Sequence, residues 1–311
     1  MTRPSSLRTH DMAGRARPRY AKDALTVHTD PTGLRRVTKA LRGAGRRVNL
    51  VPTMGALHDG HRELMRRARG IPGSTTVVSI FVNPRQFGPE EDFDRYPRAF
   101  EADLEMCREE GVELVFAPDV EDMYPPGFAT SIDPGPLGAE LEGAVRPGHF
   151  AGMLTVVNKL FAIVVPDVAF FGEKDYQQLT LIRRMVRDLD IDVHVVGVPT
   201  VREEDGLARS SRNAYLDDDA RRAAVAISAA LSAGQYAGEH GPQAVLDAAR
   251  AVLDTEPALD VDYVELRDPD LGPTPEIGPA RLLIAARAGT THLIDNAAVS
   301  VVRRSGAELA G

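Results

Sequence analysis

The chain has 311 residues, 43% hydrophobic and 26% charged, with a net charge of −8, the balance of a globular protein of two unequal domains or one elaborated α/β domain. The acidic balance speaks against general nucleic-acid binding, which needs a concentrated basic face, and no apolar run of 18 residues offers a membrane span. Cys107 is the single cysteine, so neither an internal disulfide nor a cysteine metal cluster can form.

Taken in order, the first twenty residues carry Arg3, Arg8, Arg15, Arg17 and Arg19 but no apolar stretch to act as a signal core, and read as a disordered arm. A helix is predicted over 32–42, where Leu34, Val37 and Leu41 recur at helical spacing and Gly43 ends the pattern. A short strand follows at 48–52, then a turn-rich loop, then a helix over 61–69. The run 75–82 is apolar and β-branched, the mark of a fully buried strand, and Asn83-Pro84 ends it. A helix over 98–110, with Cys107 on its apolar side, leads through Gly111 to a strand at 112–117. The Pro/Gly-rich stretch 118–147 is too long for a simple connection and reads as functional or decorating. Helix 153–165, strand 168–171, helix 175–189 and strand 191–198 complete a strand–helix alternation that argues for an α/β fold, a parallel sheet with helices on both faces. Beyond 202–206 the pattern changes to two Ala-rich helices, 218–236 and 242–253, then strands at 260–267, 281–287 and 291–294. The expected organisation is an arm over 1–20, a parallel-sheet domain over 21–200 and a smaller C-terminal α+β domain over 201–311.

Four segments carry groups suited to chemistry. PTMGALHDGH at 52–61 lies between a strand and a helix, where glycines permit a tight turn and a helix N-terminus offers N–H groups to phosphate. Gly55 and Gly60 have P-loop spacing, but His61-Arg62 stands where Lys-Ser/Thr is required, which disfavours a P-loop NTPase. His58 and His61 lack a third ligand of suitable spacing for zinc. They suit donation to phosphate oxygens better; the plainer reading leaves them satisfied in a surface turn. FVNPRQF at 81–87 puts Asn83 and Gln86, neutral polar groups, at the strand edge where parallel sheets bind ligands, though read alone it is equally an ordinary turn. FGEKDYQQ at 171–178 sets Lys174 beside a helix N-terminus and Gln178 one turn further on. Lys174 is one of only four lysines among 37 basic residues; it serves either a phosphate or a surface ion pair with Glu173 or Asp175. RSSRN at 209–213 flanks two hydroxyls with two arginines, which suits a triphosphate and also a capped surface loop. Together the four sit at strand ends or at a hinge and share a phosphate-handling character.

PTMGALHDGH, SIFVNPRQF, RPGHFAGMLTVVNKL, FFGEKDYQQL, GVPTVREEDGLA and SSRN occur in the order and spacing of the pantothenate synthetase family, which the chain resembles over about residues 25–300. The histidine loop alone would indicate only the wider HIGH-motif nucleotidyltransferase superfamily. The resemblance implies a Rossmann-like N-terminal domain and a smaller C-terminal lid, a cytoplasmic homodimer, and ATP-dependent condensation of (R)-pantoate with β-alanine through a pantoyl-adenylate. It implies an ATP site of Met54, Gly55, His58, Gly60, His61, Gly172, Glu173, Lys174, Asp175, Val201, Arg209, Ser210, Ser211 and Arg212, with His61, His58, Lys174 and Arg212 stabilising charge. Gln86, Gln178 and Asn83 would hold pantoate. No nucleic acid or membrane is implied as a partner. Two departures stand out: Arg209 replaces the family's usual methionine, and Tyr96-Pro97-Arg98 is followed by Glu101-Ala102-Asp103, which leaves Asp103 as the carboxylate for magnesium. A relative adenylylating a phosphate acceptor would want more cations than Asn83, Gln86 and Gln178 supply. A nucleotide sensor without turnover has only Arg209 and Ala102 in its favour.

Overall fold

The computed structural model describes residues 24–88, 93 and 95–302; the arm expected over 1–20 lies outside them. Six strands form a parallel sheet: β1 (Thr26–His28), β2 (Arg47–Thr53), β3 (Ser74–Ile80), β4 (Leu114–Phe116), β5 (Val168–Gly172) and β6 (His194–Val198). Their order is β1-β4-β3-β2-β5-β6, and every pairing is parallel. From β2 the chain winds outward through β3 and β4, then returns to β5 and β6 on the other side. The switch point therefore falls between β2 and β5, and a crevice opens beyond their carboxyl ends.

Both faces of the central strands are covered. Val48 and Leu50 of β2, Val77 of β3 and Leu114 and Phe116 of β4 enter one apolar cluster. Val51, Val78 and Val115, the alternate residues, enter another. Helices α1 (Pro31–Gly43), α6 (His149–Val164) and α7 (Tyr176–Asp188) cover the first face; α2 (Asp59–Arg69) and α3 (Phe100–Glu109) cover the second. The Asp30 carboxylate caps α1 by accepting from the N–H groups of Thr32 and Gly33, and Pro31 sits at its first position, where no N–H is needed. Cys107 is fully buried on α3, and burial pushes its thiol up to about 12. The long connection holds two single-turn helices, α4 (Val120–Met123) and α5 (Glu142–Val145).

The smaller C-terminal domain is an antiparallel sheet, β7 (Leu259–Arg267), β8 (Gly278–Ala288) and β9 (Thr291–Val301), in that order. Helices α8 (Asp218–Tyr236) and α9 (Pro242–Leu253) pack on it through Ala223, Ile227, Leu231 and Val245.

Several elements depart from expectation, among them β6, which begins at His194 rather than 191, and β8, which begins at Gly278 rather than 281. β3 ends at Ile80, two residues short of the predicted end. Helix α6 begins at His149, where the left-handed Gly148 caps it (φ +84). Gly152 within its first turn is required by close approach: a Cβ there would lie 2.0 Å from the carbonyl oxygen of Arg85. β9 runs to Val301, past the polar pair Asp295-Asn296, because Asp295 meets Arg202 and Asn296 reaches the carbonyls of Glu173 and Lys174 in the parallel-sheet domain. No helix among the described residues is long and apolar enough to cross a membrane.

Candidate active site

The crevice is lined by the loop after β2, the turn after β5 and the segment 209–215. The first of these is rigid for reasons that can be traced atom by atom. Gly55 takes φ +84 and Ala56 φ +50, a double left-handed turn that only Gly adopts without strain at its first position. A Cβ on Gly55 would lie 3.0 Å from Asp103 Oδ2. Asp103, buried on α3, accepts from the N–H of Ala56 at 3.0 Å and of Leu57 at 2.8 Å. Burial raises its pKa, and the two backbone donors pull against that rise. Asp103 is thus the anchor of the loop, and its oxygens are turned to the backbone rather than to the crevice.

The two histidines lock each other. His58 caps α2, its Nδ1 accepting from the N–H of Gly60 at 3.1 Å, while Nδ1 of His61 accepts from the N–H of His58 at 3.2 Å. Because both Nδ1 atoms accept, the proton of each neutral ring sits on Nε2. The rings lie 4.1 Å apart. Burial, and then its neighbour Lys174, lower His58 to about 4; burial, and then His58, lower His61 to about 3. The crevice therefore holds two neutral imidazoles, each fixed as an Nε2–H donor.

The turn after β5 presents Lys174, whose Nζ lies 3.4 Å from Asp175 Oδ1. Burial pushes Asp175 up, but Lys174, Arg212 and His149 outweigh it and hold the carboxyl low. The turn is gripped from the C-terminal domain: Nδ2 of Asn296 donates to the carbonyls of Glu173 and Lys174, at 2.9 Å each. Arg281 donates to Asn296 Oδ1 at 3.1 Å and lies 3.9 Å above the Tyr176 ring. Beside Asn296, Asp295 is engaged by both Nη atoms of Arg202. These residues went unread in the sequence, since nothing local separates Asn296 from any polar residue of a strand.

The third wall is the segment before α8. Nη1 of Arg209 pairs with Asp59 Oδ2 at 3.2 Å, and its buried Nε has no hydrogen-bond partner. The Oγ of Ser210 accepts from the N–H of Arg212. Ser211 meets the Tyr96 hydroxyl at 3.3 Å, and the Tyr215 hydroxyl donates to the Arg95 carbonyl at 3.0 Å. A cavity of about 200 Å³ brings together Met54, His58, Gly60, His61, Gly172, Lys174, Asp175, Val201 and the stretch from Arg209 to Arg212. Gly55 stays outside it as the turn residue. Glu173 also faces elsewhere, 3.6 Å from Arg281.

Gln86, Gln178 and Asn83 line the same cavity, with different freedom. Asn83 is saturated: its Nδ2 donates to Gln86 Oε1 and the Gly152 carbonyl, and its Oδ1 accepts from the Tyr124 hydroxyl and the Arg85 N–H. It positions Gln86, whose Nε2 reaches Met54 Sδ at 3.2 Å and whose carbonyl accepts from Nδ1–H of His149 at 2.8 Å.

For a resident magnesium the donor set does not fit. Asp103 is spent on the loop, and among the described residues no three His, Cys, Asp or Glu side chains gather as a metal cage.

A family model described as Pantoate-beta-alanine ligase matches residues 26–298. The chain is 63% identical over 289 residues to the pantothenate synthetase of Mycolicibacterium smegmatis, covering 93% of this chain and 92% of that one. It is 64% identical over 282 residues to that of Nocardia farcinica, covering 91% and 88%. Among solved structures, it matches the pantothenate synthetase of Thermus thermophilus with a TM-score of 0.81 at 47% identity, over 88% of this chain and 99% of that one. It also matches the pantoate-beta-alanine ligase of Francisella tularensis complexed with beta-gamma ATP and beta-alanine, with a TM-score of 0.74 at 32% identity, over 88% and 97%.

Proposed function

This chain belongs to the pantoate–β-alanine ligase family, and from that premise we propose that His58, His61, Lys174 and Arg212 form one charge-stabilising wall around the phosphates of ATP. Its activity is the AMP-forming ligation of pantoate to β-alanine through a pantoyl-adenylate. In the first step a carboxylate oxygen of pantoate bonds to the α-phosphorus while the bond to the β-phosphate oxygen breaks and pyrophosphate leaves. In the second, the amine of β-alanine attacks the activated carbonyl, AMP departs and pantothenate forms. No side chain has to become a covalent nucleophile.

The observation that carries the assignment is the locked tautomer of the histidine pair. Two neutral Nε2–H donors, fixed by backbone hydrogen bonds, suit charge that develops on phosphate oxygens, because they need no reorganisation as the reaction proceeds. Lys174 and Arg212 supply the net positive charge. Ser210, Ser211 and Arg209 extend the clamp, with Gly60 and Gly172 giving the backbone room to approach and Met54 and Val201 lining the nucleoside side. Gln86 and Gln178 bind pantoate from opposite walls, with Asn83 orienting Gln86. Magnesium, in this reading, arrives bound to the phosphates of ATP and needs no carboxylate cage.

The 21–200 unit binds ATP and pantoate, and the 201–311 unit serves as its lid. A relative whose structure holds beta-gamma ATP and beta-alanine supports assigning both ligand types to this crevice. Assembly as a homodimer and a cytoplasmic location complete the reading; sedimentation velocity tests the former. The deciding experiment is ATP–pyrophosphate exchange without β-alanine. Exchange that depends on pantoate is expected; ATP binding without exchange would overturn the adenylation assignment.

A further inference from the structure

Behind the phosphate wall lies a second cavity, of about 630 Å³, which the reading so far does not use. It shares Lys174, Asp175, Gln178, Ser210 and Arg212 with the narrower cavity, so the two spaces meet across the phosphate clamp. Met54, His58, His61 and Val201 line only the narrower one. The larger space therefore opens away from the nucleoside and toward the C-terminal domain, whose strands supply Arg287 and His292.

Its charge is unbalanced. Among the described residues, five cationic side chains line it (Arg95, Arg146, Lys174, Arg212 and Arg287) against two carboxylates, Glu142 and Asp175. Glu142 is already engaged, accepting from the Tyr263 hydroxyl at 3.1 Å and from Nε2 of His292 at 3.0 Å. Asp175 is paired with Lys174, and Arg287 lies 3.6 Å from Asp262, which does not itself line the space. A concave space with such an excess of guanidinium groups concentrates small polyanions, and guanidinium forks match phosphate oxygens.

We propose that this chamber is a pyrophosphate site, the place the leaving group occupies on its way out after adenylation. The inference rests on the function proposed above. The reaction generates the anion at the clamp itself: the α-phosphorus to bridging-oxygen bond breaks, its electron pair stays with the departing pyrophosphate, and the clamp residues already touch the chamber. An anion leaving Lys174 and Arg212 for bulk water faces a steep loss of attraction; Arg146, Arg95 and Arg287 divide that loss into smaller steps. In the reverse direction the same residues collect pyrophosphate for attack on the adenylate.

The test is the pyrophosphate dependence of pantoate-dependent exchange in wild type, Arg287→Ala, Arg95→Ala and the double variant. Both side chains lie outside the clamp, and thermal unfolding of each variant checks that the fold is kept. The expected result is a rise of about tenfold in the KM for pyrophosphate in the double variant, with KM for ATP and pantoate in the forward direction within about twofold. Arg287→Lys is expected to recover part of the loss. An unchanged KM for pyrophosphate in the double variant would sink the inference, and so would a selective rise in the KM for β-alanine, which would make the chamber the entry of the amine. A wild type that shows no exchange at all would instead count against the function proposed for the crevice.

Discussion

The two sides of the crevice are built in opposite ways. On the histidine side, every constraint comes from buried atoms and the main chain: the Asp103 carboxylate on two N–H groups, a left-handed Gly55, and imidazoles that each accept from a backbone N–H. On the arginine side, the segment 209–215 reaches the body of the protein through Arg209, Ser211 and Tyr215, all partly exposed, which meet Asp59, Tyr96 and Arg95. One side is pre-organised by the main chain. The other is held by contacts through partly exposed side chains, each worth little on its own.

The sharpest way to break this comparison is at the rigid side. His61→Ala removes a fixed donor and should lower the rate of pantoyl-adenylate formation by about 10²–10³, measured by exchange; a loss of only a few-fold would mean the pair is not aimed at the phosphates. Asp103→Ala should come next. It strands two backbone donors, with an expected cost of about 1.5–3 kcal/mol in unfolding free energy and a fall in rate that added magnesium does not repair. Repair by magnesium would return Asp103 to the role of a metal ligand. On the arginine side the effects should be smaller. Asp59→Asn and Arg209→Met should each raise the KM for ATP several-fold, and a double-mutant cycle should show a coupling of about 0.2–1 kcal/mol, the range of an exposed ion pair.

A separate effect, on stability rather than on rate, is in pH. In the folded protein His58 and His61 stay neutral down to about 4 and 3, whereas in the unfolded chain both take up protons near 6.5. Their lowered pKa values thus contribute stability that is present above about pH 6.5 and is lost as pH falls toward the folded values. The urea midpoint of wild type should fall between pH 7 and pH 5 by more than that of His58→Gln/His61→Gln; equal slopes would show that the rings are not held neutral.

Much of the parallel-sheet domain was legible because its apolar runs and helical spacings alternate without exception from β2 to β6. The four chemical segments were legible as a group, which the fold brings to one cavity, although each alone also had an ordinary structural reading. Other features were hidden for physical reasons. β1 is three residues long, too short for any periodicity. β9 was expected to stop at Ile294, because Asp295 and Asn296 interrupt its alternation; only Arg202 and the carbonyls of the Lys174 turn, far away in the chain, explain them. Asp103 was read as a ligand for magnesium from its place after Tyr96-Pro97-Arg98. What it holds instead is the main chain of a loop 46 and 47 residues earlier, and hydrogen bonds to N–H groups leave no trace in side-chain identity.

The lone cysteine has a practical consequence. Cys107 is fully enclosed, and its thiol is pushed up to about 12, so in the folded protein it presents almost no thiolate to an alkylating reagent at neutral pH. The native chain is in effect a blank for thiol labelling. A pair of cysteines introduced on the exposed surfaces of α2 and α8 could carry a donor and an acceptor dye without removing any natural residue. Energy transfer between them would then follow, one molecule at a time, how the two sides of the crevice move as ATP, pantoate and pyrophosphate come and go.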